Sequence, residues 1–167
     1  MNIGIIIGLV VGVLAVLTFL LIKNWWNNGK RRRKGKMGER QVSKLLRSLK
    51  KKDYIVINDL LLSSPNGKSI QIDHVVVSNR GIFVIETKSH AGRITGGEHS
   101  QNWQQHFSSG SKNFYNPLLQ NAAHIRILRR ILPDVDENLF ISMIAFTEAW
   151  RIEIKADDIV EERRFIP

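Results

Sequence analysis

The chain has 167 residues, 25 lysines and arginines against 15 aspartates and glutamates, a net charge of +10 and no cysteine. That length allows one modest domain plus an appendage, and the missing cysteines exclude disulfides, thiolate metal sites and a cysteine nucleophile, which suits a reducing compartment. The basic balance does not by itself indicate a nucleic-acid surface. Seven of the cations lie between Lys23 and Lys36 and every acid follows Met37, leaving 18 basic against 15 acidic residues, a net of +3, for the remainder.

In chain order, Ile3 to Ile22 comes first, with no charged residue and a dominance of Ile, Leu and Val. As a helix it would span about 30 Å, one hydrocarbon core. No Lys or Arg precedes it and no small-residue cleavage site follows, so an uncleaved anchor is favoured over a signal peptide. Trp25, Trp26 and the cluster Lys30, Arg31, Arg32, Arg33, Lys34 and Lys36 then mark the cytoplasmic end of a span. These residues predict a single-pass protein of the cell membrane with its N-terminus outside, and attraction of the basic cluster to anionic lipid. Gly4, Gly8 and Gly12 share one helix face and predict a homodimer through that face. The organisation expected is an anchor over 1–22, a basic juxtamembrane linker over 23–36 and one domain over 37–167.

From Gly38 to Lys52, Val42, Leu45, Leu46 and Leu49 recur at helical spacing, with Glu39 in the first turn. Tyr54 to Asn58 reads as a strand and Pro65-Asn66-Gly67 as a turn. The stretch Ile70 to Lys88 follows, reading IQIDHVVVSNRGIFVIETK. Two β-branched runs around Ser78-Asn79-Arg80-Gly81 predict an antiparallel hairpin whose opposed residue numbers sum to 159. Asp73 then lies opposite Glu86, with Cβ atoms about 4.5–5.5 Å apart. Lys88 points to the same side by the period-two rule. Two carboxylates that close in an apolar sheet repel unless a proton or cation sits between them.

Alternation places Val75, Val77, Ile82 and Val84 on the face of the acids and Ile72, Val76, Phe83 and Ile85 on the other. Both faces are apolar, as in central strands covered on both sides. A salt bridge between Glu86 and Lys88 at a strand end is the plainer alternative; the register of Asp73 weighs against it. His74 alternates away from Asp73 and reads as a packed residue. His90, His99, His106 and His124 show no metal-ligand spacing on a shared element, and none is assigned to metal.

Gly92, Gly96 and Gly97 punctuate a loop with a short strand at Arg93 to Thr95, while Trp103 to Ser111 is ambiguous. A second helix is expected from Pro117 to Leu132, burying Leu118, Ala122, Ile125 and Leu128. Phe140 to Thr147 is too continuously apolar for an exposed strand, and Ile152 to Ile154 adds a last one. The order predicts an α/β fold, a mixed sheet flanked by helices.

The chain resembles the nuclease-related domain (NERD) family in GER at Gly38 to Arg40, IDHVVVSNRGIFVIETK at Ile72 to Lys88, the Gly92 loop with Trp103, and NPLLQNAAH at Asn116 to His124. The resemblance implies a restriction-endonuclease-like fold, with Asp73 and Glu86 as metal-binding acids and Lys88 as the lysine of a D…E-x-K site. It also implies that Glu39 approaches that site from the first helix and that Gln120 lies on a helix packed beside the catalytic sheet. The expected activity is Mg²⁺- or Mn²⁺-dependent hydrolysis of nucleic-acid phosphodiester bonds on the cytoplasmic side. The alternative is a membrane-tethered module that binds nucleic acid or protein on the same fold without cutting. Near-balanced charge in the domain favours that alternative, since nucleic-acid affinity draws heavily on Lys and Arg contacts.

Overall fold

The computed structural model describes residues 3–49, 52–63, 67 and 69–155, with side chains described from Val16 to Ile154 within them. The chain divides into two units, Met1–Lys36 and Met37–Pro167. Helix α1 (Ile3–Leu46) forms the first and supplies the opening element of the second. The basic stretch expected as a linker is helical throughout. Lys and Arg are good helix formers, and each interior glycine costs only about 1 kcal/mol. Trp25 and Trp26 are exposed, and the Lys30 ammonium lies 5.7 Å from the Trp26 ring centroid, one turn away.

Among the described residues no helix is long and apolar enough to cross a membrane. The membrane-spanning helix expected from the sequence, and the address that followed from it, therefore gain no support here. Most of the expected span, with Gly4, Gly8 and Gly12, lies outside the residues whose side chains are described.

The second unit holds two four-stranded sheets where the sequence predicts one. Strands β1 (Tyr54–Ser63), β2 (Ser69–Ser78), β3 (Gly81–Lys88) and β7 (Phe140–Phe146) form the first, in the order β1-β2-β3-β7. Strands β4 (Gly92–Gly97), β5 (Asn102–Phe107), β6 (Gly110–Tyr115) and β8 (Ala149–Lys155) form the other, in the order β6-β5-β4-β8. Each sheet is mixed, because β7 runs parallel to β3 and β8 parallel to β4. The hairpin β5–β6 is what the sequence reading left open. Its strands, NWQQHF and GSKNFY, bury only Trp103 and Gln105, too few apolar residues for alternation to be legible. The turn Pro65-Asn66 lies outside the described residues.

The β2–β3 register is the predicted one, running from His74 opposite Ile85 to Ser78 opposite Gly81. Gly81 closes this turn at φ 135°, where a Cβ would stand 2.6 Å from the Leu139 carbonyl oxygen. The first sheet is covered on both faces. Val42 and Leu46 of α1 pack on Val76, Ile85 and Ala145, while Leu128 of α2 (Pro117–Ile131) packs on Ile72, Val75 and Val84. A third cluster, Ile94, Trp103, Ile144 and Phe146, joins the second sheet to β7.

Alternation fails at one place, beside the acids. Regular strands would put Val56 and Leu60 on one face and Ile72 and Val75 on opposite faces. Instead Val56 joins the cluster with α1, whereas Leu60, Ile72 and Val75 all join the cluster with α2. Both strands invert between Asn58 and Leu60 and between Ile72 and His74, the steps where the ladder skips Asp59 and Asp73. Asp59 adopts φ 53°, a left-handed conformation that Asp tolerates better than most residues. Ile72 is thereby reassigned to the face of Val75 and Val84.

One buried amide joins α2 to the sheet. Asn121 Nδ2 donates to the Val84 carbonyl at 2.8 Å, to Ser142 Oγ at 2.8 Å and to the Met143 carbonyl at 3.3 Å. Asn121→Ala is expected to cost about 2–4 kcal/mol, since buried acceptors are left unpaired at roughly 1–3 kcal/mol each. Urea denaturation checks this, and a loss below about 1 kcal/mol would contradict it.

Candidate functional site

The site lies where β2 and β3 part. The ladder ends at His74 and Ile85, so Asp73 and Glu86 stand one step past the last pair rather than within it. The inversion at Asp73 turns its carboxylate toward the next residue of β3, and Thr87 N–H donates to Asp73 Oδ2 at 2.8 Å. A backbone amide of the E-T-K tripeptide thus fixes the first acid.

The second acid sits in a closed triangle. Lys88 Nζ donates to Glu86 Oε1 at 2.8 Å and to Gln120 Oε1 at 2.9 Å, and Gln120 Nε2 donates to Glu86 Oε1 at 2.8 Å. Gln120 reaches it from the first turns of α2. That helix begins at Asn116, whose Oδ1 accepts from Leu118 N–H while its Nδ2 donates to the Glu98 and Ser100 carbonyls, both at 2.7 Å. The motif NPLLQNAAH therefore reads residue by residue: Asn116 starts and tethers the helix, Asn121 docks it, and Gln120 and His124 face the acid.

Burial dominates the electrostatics. Asp73 is pushed up from 3.8 to about 6, chiefly by desolvation and then by the charge of Glu86, against the Thr87 hydrogen bond and Lys88. Burial also raises Glu86, opposed by Lys88, with Glu39 adding a repulsion that pushes the same way as burial. The field of Glu39 thus reaches Glu86 from α1. Its neighbour Gly38 packs against the residues that follow β3 and β7, where a Cβ would collide with Ser89 Oγ and Thr147 Oγ1.

Glu86, Lys88 and Gln120 are thus joined by short contacts, Asp73 is held beside them by the Thr87 amide, and Glu39 acts on Glu86 through its charge. His74 is buried and bonded to Asn58 Oδ1 at 2.7 Å, the packed role expected of it. His106 bonds Thr95 Oγ1 at 2.8 Å within the second sheet, and His90, between β3 and β4, packs on Phe114. His124 was not assigned from sequence, yet its buried Nδ1 stands 3.6 Å from Glu86 Oε2. The available signal was its position four residues after Gln120, which puts both on one helix face.

Among the described residues no group of three His, Cys, Asp or Glu is placed to hold a metal ion. Two carboxylates and backbone carbonyls are nevertheless a donor set that fits Mg²⁺ or Mn²⁺, which take one or two carboxylates and leave other positions to water and phosphate. Glu86 Oε2 supports that fit: it is buried and, among the described residues, has no hydrogen-bond partner. Such an oxygen is costly unless something positive meets it.

The chain matches the nuclease-related domain family over residues 34–147. An uncharacterized protein of Bacillus anthracis is 37% identical over 114 residues, 68% of this chain and 52% of that protein. The chain thus spans about half the length of that relative. No solved structure matches it.

Proposed function

The chain belongs to the nuclease-related domain family, and from that premise we propose that it is a metal-dependent nuclease hydrolysing nucleic-acid phosphodiester bonds on the cytoplasmic side of a membrane. One observation carries the reading. A pair of acids, half-buried Asp73 and buried Glu86, is locked by one amide, one ammonium and one carboxamide, with Glu86 Oε2 left unspent. A plain structural salt bridge would need neither the second carboxylate nor the spare oxygen.

Asp73 and Glu86 would hold the cation, with the Thr87 carbonyl beside them. When bound, such an ion polarises the scissile phosphate and lowers the pKa of a coordinated water. Lys88, its ammonium held by Glu86 and Gln120, orients the attacking water and offsets negative charge developing on the phosphate. Gln120 is a positioning residue acting through Lys88 and Glu86. Glu39, whose charge acts on Glu86 from α1, would help to hold the ion's water shell.

The location rests on different residues. Ile3 to Ile22 is free of charge, and Trp25, Trp26 and seven cations follow within Lys23 to Lys36. That order suits an anchor with an interfacial belt and contact with anionic lipid headgroups. A second reading, a tethered binding module without catalysis, is favoured by the net charge of only +3 on residues 37–167, 18 basic against 15 acidic.

The test incubates the purified full chain with labelled single- and double-stranded DNA and RNA in Mg²⁺, Mn²⁺ or EDTA. Cleavage is expected with a metal, absent in EDTA, and absent in folded Asp73→Ala and Glu86→Ala variants. A folded chain that cuts none of these substrates under any condition would leave the binding module as the reading.

A further inference from the structure

Asp59 holds an uncommon place in the fold. Among the described residues it is the one non-glycine at positive φ, 53°, and backbone in sparsely populated regions gathers at functional sites. It lies on β1 opposite Asp73, between the pairs Asn58–His74 and Leu60–Ile72. Those pairs keep a single register, so neither strand gains a residue there and both simply turn over. The turnover is latched on each side. His74 Nδ1 bonds Asn58 Oδ1 at 2.7 Å before it, and Gln71 Nε2 donates to Asp59 Oδ1 at 3.0 Å beyond it, where Leu60 and Ile72 enter the cluster under α2.

The consequence falls on an amide of β3. Extended in the same register, the β2–β3 ladder would set Ile72 opposite Thr87, and a Thr87 N–H facing β2 would go to the Ile72 carbonyl. Because β2 turns over at Asp73, that amide meets Asp73 Oδ2 at 2.8 Å instead. A ladder bond is exchanged for the anchor of a site carboxylate. Asp59 supplies the matching turn on the neighbouring strand. Were residue 59 extended, alternation from Val56 would send Leu60 toward α1, and Ile72, paired with it, would follow. The ladder would then run on through Asp73 and reclaim the Thr87 amide.

Resting on the reading above, we infer that Asp59 is a positioning residue for the nuclease reaction: its left-handed backbone, rather than its charge, aims Asp73 at the Thr87 amide and so toward the reacting phosphate. Its carboxylate is turned to Gln71, and its repulsion on Asp73 is weaker than that of Glu86. Residues that enter the left-handed region readily, Asn and Gly, therefore replace it. Ala enters that region at a cost, and β-branched Val hardly at all.

The experiment labels the full chain with ¹⁵N-threonine, which gives four backbone NMR signals, and uses Asp73→Ala to find the one from Thr87. Asp59→Val is expected to displace that signal and to lower kcat roughly 10²-fold at nearly unchanged KM, the cost of a misaimed catalytic group. Asp59→Asn, the conservative variant, and Asp59→Gly are expected to restore both. A variant that is only less stable would keep the signal in place. Asp59→Ala makes the same change as valine in milder form and decides the matter if the valine variant does not fold. A Thr87 signal unmoved by Asp73→Ala, unmoved in whichever of the Ala and Val variants folds, or displaced in the Asn or Gly variant would overturn the assignment and leave the nuclease reading untouched. A parent chain that cuts no nucleic acid would overturn that reading, while the Thr87 signal still decides whether Asp59 aims Asp73.

Discussion

Asp73→Asn is expected to abolish metal-dependent cleavage while making the folded protein more stable at neutral pH. The folded state holds this carboxyl near pH 6 against 3.8 for the unperturbed group. Between those values the native state binds more protons than the unfolded chain, so stability falls as pH rises. The favourable contribution of Asp73 is complete below the lower value, and its cost is fully felt above about pH 6. At about 1.36 kcal/mol per unit the cost is bounded near 3 kcal/mol, and partial solvent access reduces it to about 1–2 kcal/mol. Asparagine does not ionise, and its Oδ1 still accepts from Thr87 N–H. Urea denaturation of both proteins from pH 4 to 7 should show near-equal stability at the acid end and a growing advantage for the variant above it. A parent protein that gains on the variant as pH rises would refute this.

Lys88→Met should lose activity as well, with the opposite effect on stability. Removing one preorganised charge stabiliser typically costs about 10²–10³ in turnover. The same change leaves Glu86, 3% exposed, without its ammonium and with only Gln120 on Oε1. Breaking a buried ion pair from one side costs about 3–5 kcal/mol, and the 18% exposure of the Lys88 side chain reduces that to about 2–4 kcal/mol here. Adding Glu86→Gln removes the stranded carboxylate, so the double variant should recover most of the stability and none of the activity. Denaturation midpoints and single-turnover cleavage across the double-mutant cycle measure both. A Lys88→Met protein as stable as the parent would show that the triangle contributes nothing to the fold. Together the two variants separate function from stability: one acid is kept at the expense of stability, and its cation is what makes the second acid tolerable.

How these residues were legible differs from one to the next. Asp73, Glu86 and Lys88 sit within one hairpin, and a turn at Ser78 to Gly81 with period-two alternation sufficed to bring them to one strand end. Alternation erred at Ile72 because the left-handed Asp59 inverts two strands at once, and one residue in an uncommon conformation leaves no periodic trace. The second sheet was half hidden because β5 and β6 are polar hairpin strands stabilised by Trp103 and by neighbours distant in sequence. Gln120 was reached through the resemblance, and His124 stayed unassigned although its spacing from Gln120 puts both on one helix face.

Local backbone geometry is written in the chain: the register of β2 on β3, the amphipathic end of α1, the start of α2 at Pro117, and the segregation of cations into Lys23 to Lys36. Those features depend on periods of 2.0 and 3.6 residues and on short-range chemistry. Which helix face meets which strand end depended on burying apolar clusters contributed by distant segments, and no window of sequence contains that sum. The tertiary structure alone therefore decided that Gln120 closes on Lys88, that His124 faces Glu86, and that Asp73 binds the Thr87 amide just beyond the end of the ladder. The acids and the lysine were the sequence's own; their partners came from packing.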